Sequence, residues 1–561
     1  MDVTSLIESQ ARGDFRAMEQ VARRLLGSGP QEPSLHNALG ISLAMQGRFA
    51  EAAKAFGEAT ALAPHFAEAH SNLGNVFRDL GRRADAVQSY GAALRAAPAS
   101  FEARLNLAIV LSELGRTAEG LHHIQQGIAI GPDIAAAHQA YAALFGATIG
   151  EDAALLSHRR AGALAPDMAP AHSAAASILR GQGNLPEAAR SLRRSLALDP
   201  RAAPVQTGLA NLYRDTRRDV DALLVCDRTL AIDTHQADAH NTRGMLLRAK
   251  GNIPAALKSY AAATALAPAA PAAIHNLGLA LYESGRLETA SIYLDRSDLP
   301  GAAPRSLHCS YMTRDLPAFR RKLAKLAGRP NVFPLVANLS AHHAVNFGTD
   351  DPYGFCPNPF DFIYQAKVAA PEVRTPLIGE LLEAVDHDTA SGTPQPLLHE
   401  GIQSTGDLLN RPVPAFRRLA DLVQRHIAAY RERFAARTCV FIREFPEVRR
   451  FYSSWYVRMR QGGHLSSHIH ASGWLSGVTY LAMPPRQGDG TEGCIQFSID
   501  GGDYPASHAD FPARTLAVEV GDIVLFPSSL FHRTIPFASA DERICIAFDV
   551  LPKEFPAEVT S

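Results

Sequence analysis

Small and apolar residues return to the same places every 34 positions through the first three hundred residues, and then stop doing so. Prolines mark the period at Pro30, Pro64, Pro98, Pro132, Pro166, Pro200 and Pro268, with Thr234 in the intervening slot. A column of small residues keeps step with them: Gly40, Gly74, Ala108, Ala142, Ala176, Ala210, Gly244 and Gly278. Another holds Gly13, Gly47, Gly81, Gly115, Gly183, Gly251 and Gly285, with Arg217 replacing one member and Gly150 one residue late. A fourth runs through Ala52, Ala86, Ala154, Ala188, Ala222, Ala256 and Ala290. Small side chains at fixed places let two helices approach closely, and a glycine between them supplies a left-handed turn. Proline then ends the second helix, because it has no N–H and its ring clashes with the preceding turn. The pattern predicts stacked helical hairpins, since one hairpin cannot bury its apolar face alone.

Segments such as AEAHSNLGNVFRDLGRRADAVQSYGAALRAAP and PAAIHNLGLALYESGRLETASIYLDRS resemble tetratricopeptide repeats at the small, aromatic and proline positions. The resemblance covers residues 1–304, about nine units with the first truncated. It implies an all-α solenoid with a concave face for a protein or peptide partner. Asn72, Asn106 and Asn276 share one column that looks inward in this family, so their amides could bond an extended peptide backbone or serve helix packing. A histidine column at His36, His70, His138, His172 and His240 falls where the family packs an aromatic ring, which points to packing rather than metal.

After residue 304 the alanine columns give way to proline, phenylalanine and histidine, and both tryptophans, Trp455 and Trp474, lie well beyond. Residues 305–398 read as a cap and extension: RDLPAFRRKLAKLAG as a helix, and HHAVNFGTDDPYGFCPNPFDF as a turn-rich loop in which His342 and His343 have a surface or packing role. A helix is predicted over PAFRRLADLVQRHIAAYRERFA from Pro414. The segments FYSSWYVRMR, LSGVTYLAM, GCIQFSI, DIVLFPS and ERICIAFDV follow, short and rich in β-branched and aromatic residues. They predict a double-sheet jelly roll over 399–561 with flanking helices.

Composition narrows the options little. With 47% apolar and 20% charged residues the chain is of ordinary globular type, and its net charge of −1 favours neither nucleic acid nor a membrane surface. No run of about 18 apolar residues is present, so membrane spanning is not expected. The N-terminus lacks a signal-peptide pattern, and the six cysteines show no paired spacing, which suggests reduced thiols and a cytoplasmic setting.

The chemistry concentrates in the β region. His468 and His470, two apart on an extended segment, project to one side, and His532 comes from a later strand. Three imidazoles with open positions suit an oxidisable metal. Arg543 opens the strand RICIAF, and a buried guanidinium there needs a carboxylate. The pieces EGIQSTGDLL, WYVRMRQGG, HIHASGWLSGVTYLAMP, GDIVLFPSSLFHRT and ERICIAF resemble the iron(II)- and 2-oxoglutarate-dependent oxygenases, especially a bacterial and phage HxH subfamily. That resemblance implies a double-stranded β-helix with Fe(II), 2-oxoglutarate and O₂ as cofactor and cosubstrates. His468 and His532 would be ligands, and Arg543 and Tyr480 would hold the distal carboxylate of 2-oxoglutarate.

His470 stands where most relatives have Asp or Glu. Either it completes a three-histidine face or it points to substrate, and His464 is a possible substitute ligand. No catalytic residue beyond the ligands is expected. The function implied is a dioxygenase hydroxylating a protein or peptide recruited by the repeats; the alternative is a repeat scaffold with a non-catalytic or cupin-like metal-binding jelly roll.

Overall fold

A computed structural model describes residues 3–327, 333–388, 395–404, 406–448, 451, 453–486, 490–507 and 510–552. It forms two compact units, Met1–Gly251 and Asn252–Ser561.

In the first unit, helices of 13 and 14 residues alternate, as in Pro33–Met45 with Phe49–Leu62 and Ala67–Asp79 with Arg83–Ala96. The turn glycines have φ between +69° and +76°, Gly150 +88°, and Arg217 keeps the same left-handed turn at +58°. Each second helix stops two residues before the proline column, at Leu62, Ala96, Ile130, Leu164 and Leu198.

The small-residue column has a partner 16 residues on. A Cβ on Gly40 would lie 2.6 Å from the Phe56 ring, and one on Gly74 would lie 2.6 Å from Tyr90. Where the column holds alanine its partner shrinks: Ala108 packs with Ile124, Ala176 with Leu192 and Ala210 with Cys226. In the Gly40, Gly74, Ala108 and Ala176 pairs the combined volume stays nearly constant, as close packing favours, whereas Gly278 with Leu294 and Ala210 with Cys226 are smaller.

The half-buried histidine column does other work than core packing. The Nε2 atoms of His70, His138 and His172 lie 3.0, 2.9 and 3.1 Å from the carbonyls of Pro64, Pro132 and Pro166, and that of His240 lies 3.1 Å from Thr234. A carbonyl only accepts, so each ring donates. Arg104 and Gln206 fill the same column and bond Pro98 and Pro200, both at 2.7 Å. The column therefore satisfies a carbonyl just past a helix end, which the helix cannot pair itself. His36 turns to the Gln31 side chain instead, at 2.8 Å.

The second unit begins with helix Ile253–Leu266 and continues through the hairpins Pro271–Glu283 with Leu287–Asp295 and Ala302–Met312 with Leu316–Ala327. Helix Pro334–Phe347 follows, with Pro334 in its first turn and Gly348 at φ +60° closing its end. The turn-rich reading of residues 342–362 therefore fails for its first six residues, which stay helical, and holds beyond Gly348. Both histidines there are buried: His342 Nδ1 lies 2.6 Å from Tyr311 Oη and its Nε2 3.1 Å from Asp500, while His343 packs on Phe319 and Phe347. From the same helix Asn338 donates to the Ser529 carbonyl at 2.8 Å and Asn346 to that of Pro505 at 2.7 Å. The first bond holds the turn that precedes His532, and the second holds the connection between residues 498 and 513.

The β region consists of β1 (Tyr364–Lys367), β2 (Leu398–Gln403), β3 (Ser453–Leu465), β4 (Leu475–Ala482), β5 (Ile495–Ser498), β6 (Ala513–Leu516), β7 (Asp522–Pro527), β8 (Phe531–Thr534) and β9 (Arg543–Val550). One antiparallel sheet has the order β1-β7-β4-β9-β3-β2 and the other β6-β5-β8. The larger sheet is covered on both faces. Its outer face packs, through Trp474, Leu475 and Phe548, with helix Pro414–Phe434, and its inner face contributes Val457, Val478, Tyr480, Val524 and Phe526 to the space between the sheets. Gly477 belongs to the outer face, where a Cβ would come within 2.1 Å of the Phe548 ring.

Candidate metal centre

His468 and His532 are tied by backbone before their side chains meet. Each N–H donates to the other's carbonyl, at 3.1 and 3.0 Å, making an antiparallel bridge between the extended segment after β3 and strand β8. His470, two residues on, is anchored by its N–H to Ser528 O at 3.3 Å. One ligand atom from each ring then lies within 4.8 Å of the others, and the ring centroids are 4.3 to 5.3 Å apart. The alternation rule thus brings 468, 470 and 532 together. His464 does not join them: it sits on β3, stacked at 4.3 Å on His399.

The hydrogen bonds set the tautomers. His468 Nδ1 lies 2.8 Å from Ser466 O, His532 Nδ1 3.2 Å from Leu530 O, and His470 Nδ1 2.6 Å from Asp549 Oδ1. All three acceptors draw the proton to Nδ1, so each Nε2 keeps its lone pair for an ion. Burial, reinforced by neighbouring imidazole charge, pushes His468 down to about 4 and His532 well below its ordinary value. His470 goes the other way: burial disfavours its cation, but the Asp549 charge and hydrogen bond outweigh it. Two rings are therefore held neutral, as ligands must be, and the third is made a stronger base.

Asp549 is the residue the sequence reading missed. It faces Ser476 across the β4–β9 pairing, accepts from Ser476 Oγ at 2.7 Å, and is 8% exposed. A signal for it existed: Arg543, Cys545, Ala547 and Asp549 share parity on β9, so an acid there faces the same side as the arginine.

Arg543 is 2% exposed. Its Nε donates to Gly493 O at 3.0 Å, its Nη1 lies 3.6 Å from Cys545 Sγ, and its guanidinium carbon lies 5.0 Å from the Tyr480 ring centroid. Among the described residues no carboxylate pairs with it. Tyr480 is fully buried, its hydroxyl has no partner among the described residues, and burial pushes its ionisation up. Both residues line, with the three histidines, a cavity of about 200 Å³ whose remaining wall includes Val457, Val478 and Phe526. The volume is below the ~300–1,000 Å³ of sites for drug-sized ligands and suits a small acid. A buried guanidinium without a carboxylate among the described residues and a buried hydroxyl without a partner, beside three clustered imidazoles, fit a metal together with a chelating carboxylate.

The amide column behaves differently. Asn72 Nδ2 donates to Asn37 Oδ1 and Asn106 Nδ2 to Asn75 Oδ1, both at 3.1 Å, so these donors tie successive repeats. Asn276 is half-buried on helix Pro271–Glu283.

Comparison with known proteins matches residues 453–549 to the family described as "Putative 2OG-Fe(II) oxygenase". Tetratricopeptide repeat models match residues 33–66, 71–133, 173–237 and 244–285. The chain therefore joins tetratricopeptide repeats to an oxygenase-family domain; the HxH subfamily is not addressed by these matches. No curated protein matches. Among solved structures, a tetratricopeptide repeat protein from Parabacteroides merdae is 18% identical, covering 45% of this chain and all of its own, with TM-score 0.38. MamA is 20% identical over 30% of this chain and 97% of its own, TM-score 0.28, and pilF of Pseudomonas aeruginosa 16% over 34% and 90%, TM-score 0.32.

Proposed function

We propose that this chain is an iron(II)- and 2-oxoglutarate-dependent dioxygenase that hydroxylates a protein or peptide recruited by its repeats. The observation that carries the reading is the shared cavity: a ring nitrogen from each of three histidines lies within 4.8 Å of the others, beside a buried arginine that has no carboxylate among the described residues. His468, His470 and His532 would hold the ion, leaving positions open as a three-residue face does. Bound there, iron with 2-oxoglutarate and O₂ supplies oxidative decarboxylation coupled to hydroxylation of an aliphatic C–H, releasing succinate and CO₂.

The chain's own residues do the positioning. Arg543 offers a planar fork to the distal carboxylate, and Tyr480 Oη donates a second hydrogen bond to it. Val457, Val478 and Phe526 keep that end of the cavity dry, which strengthens both contacts. Asp549 orients His470 and raises its basicity. In the repeats, the amide carbonyls at Asn72 and Asn106 would accept from a passing peptide N–H, with Asn276 in the same column. Six free thiols, five of them buried, support a reducing, cytoplasmic setting. Among the described residues no helix is long and apolar enough to cross a membrane.

Anaerobic addition of iron(II) and then 2-oxoglutarate should give a visible charge-transfer band that His532→Ala abolishes and Arg543→Met shifts to higher 2-oxoglutarate concentration. Absence of the band from the intact chain, with iron bound, would overturn the reading in favour of a metal-binding scaffold.

A further inference from the structure

A second cavity, of about 1060 Å³, lies within the unit Asn252–Ser561, between the hairpin helices Ala302–Met312 and Leu316–Ala327 on one side and the turn 467–472 on the other. His468 and Leu397 line both this cavity and the 200 Å³ one, so the two meet at an imidazole of the triad. Whatever occupies the larger space meets the candidate metal face at His468, while Arg543 lines only the smaller cavity.

Its charges are unbalanced. Lys322 is paired with Asp295 at 2.8 Å, and Glu444 with Arg443 at 3.2 Å. Arg321 and Lys325 line the cavity with no carboxylate partner among the described residues, and Arg305 donates only to the Gly301 carbonyl, at 3.1 Å. Four cations, Arg305, Arg321, Lys322 and Lys325, thus face three carboxylates, Asp295, Asp298 and Glu444, of which Asp295 is taken by Lys322. Arg321 and Lys325 stand four apart on one helix, a like-charge spacing that costs helix stability. The opposite side of that helix is core, through Phe319, Leu323 and Leu326. The cationic edge thus has no role in holding the helix down. Beyond it the wall is apolar, with Tyr504, Phe531 and Ile469 leading toward His468.

We propose that this cavity binds an extended, acidic segment of a polypeptide substrate, with carboxylates on Arg305, Arg321 and Lys325 and an aliphatic side chain laid along the apolar wall toward His468. Two dimensions favour a polypeptide over a small acid. The volume of about 1060 Å³ is at the top of the ~300–1,000 Å³ range of sites for drug-sized ligands and about five times that of the smaller cavity. Residues four apart on a helix rise by ~6 Å, close to the ~6.6 Å between alternate side chains of an extended strand. Acidic residues at alternate positions therefore meet both cations of the helix. Only the direction of the target side chain rests on the iron reading; the site itself does not.

The test is anisotropy of a fluorescein-labelled 12-residue peptide with Glu at alternate positions and Leu or Ala between them, on the full chain with EDTA. Micromolar binding, weakened at least tenfold by Arg321→Glu with Lys325→Glu and absent for the Lys-for-Glu peptide, is the expected result. The same double variant should keep the charge-transfer band of iron and 2-oxoglutarate, which shows that it is folded. A benzophenone at the peptide's centre should crosslink within residues 297–335 or 467–504. Unchanged affinity in the double variant, crosslinks elsewhere, or displacement by inorganic phosphate at the peptide's own concentration would overturn the proposal. Peptide binding that is lost in the double variant, in a chain that gives no charge-transfer band, sinks the iron reading and leaves this site standing.

Discussion

Replacing Asp549 by Asn separates the charge of that carboxylate from its hydrogen bond. The amide is nearly isosteric and its oxygen still accepts from His470 Nδ1, now 2.6 Å from the carboxylate, so the ring stays in place while the negative charge goes. Adding the width of an imidazole and a nitrogen–metal bond of ~2 Å puts the charge roughly 6–7 Å from a bound ion. At that distance a unit charge and a divalent cation attract by about 1 kcal/mol in water and about 5 kcal/mol at an effective dielectric constant of 20. Losses of about 10- to 100-fold in metal affinity, typical of partners behind a ligating histidine, fall inside that range. We expect Asp549→Asn to weaken iron(II) or cobalt(II) binding by about 10- to 100-fold, measured anaerobically against a chromophoric chelator. Ser476→Ala, which removes the neutral donor at 2.7 Å, should cost less. An affinity within threefold of the parent for Asp549→Asn, in a chain with unchanged circular dichroism, would refute the idea that this carboxylate acts on the ion through His470.

Tyr480→Phe removes a buried hydroxyl without a partner, whose burial costs about 1–3 kcal/mol; the metal-free chain should be as stable or more so in urea, while the 2-oxoglutarate concentration that gives half the charge-transfer band rises about tenfold. Gly74→Ala puts a Cβ 2.6 Å from the Tyr90 ring and should cost about 1–3 kcal/mol. Adding Tyr90→Leu recreates the native Ala176 and Leu192 pair, so a double-mutant cycle should show the two changes offsetting each other rather than adding. Burial holds His308, 3.1 Å from Tyr282 Oη, down to about 4, whereas an unfolded histidine titrates near 6.5. The unfolded chain thus binds the extra proton, so stability is full above pH ~6.5 and falls toward pH 4 by about 3 kcal/mol from this group; denaturant midpoints should follow, and His308→Gln should flatten that slope. His470→Asp alone should bind metal worse than His470→Asp with Asp549→Asn, both read against the same chelator.

What could be read in the sequence was whatever repeats or alternates. The 34-residue columns carried the hairpins because close packing demands a small residue at the same place each time, and Arg217 could be read as a turn only because its neighbours in the column are glycines. His468 and His470 followed from strand parity, and Arg543 from its place opening the last strand and from the family resemblance. Strands β1, β2 and β6 were missed because they are short and partly exposed, and so lack an apolar run. Asp549 was missed because it ends a strand that reads as uniformly apolar, and its meaning depends on cross-strand register with Ser476. The histidine column was read as packing because its partner, a proline carbonyl six residues back, is a backbone group with no sequence identity of its own.

On the proposed function, the charge of the site would let His470 stand where the family resemblance places a carboxylate. With an ion and 2-oxoglutarate in place, the ion's two positive charges and the Arg543 guanidinium face two cosubstrate carboxylates and Asp549, a neutral set. A two-histidine, one-carboxylate site with the same arginine is neutral too. On the proposed function the total is kept, and one negative charge would stand behind His470 instead of among the ion's own ligands. The expected penalty on His470→Asp follows: it adds a second carboxylate next to Asp549, and two close like charges force one to take up a proton. Removing the Asp549 charge in the double variant restores neutrality and frees the new carboxylate to ligate. If His470 instead pointed to substrate, the single and double variants would bind metal alike, because neither charge would then act on the ion's ligands.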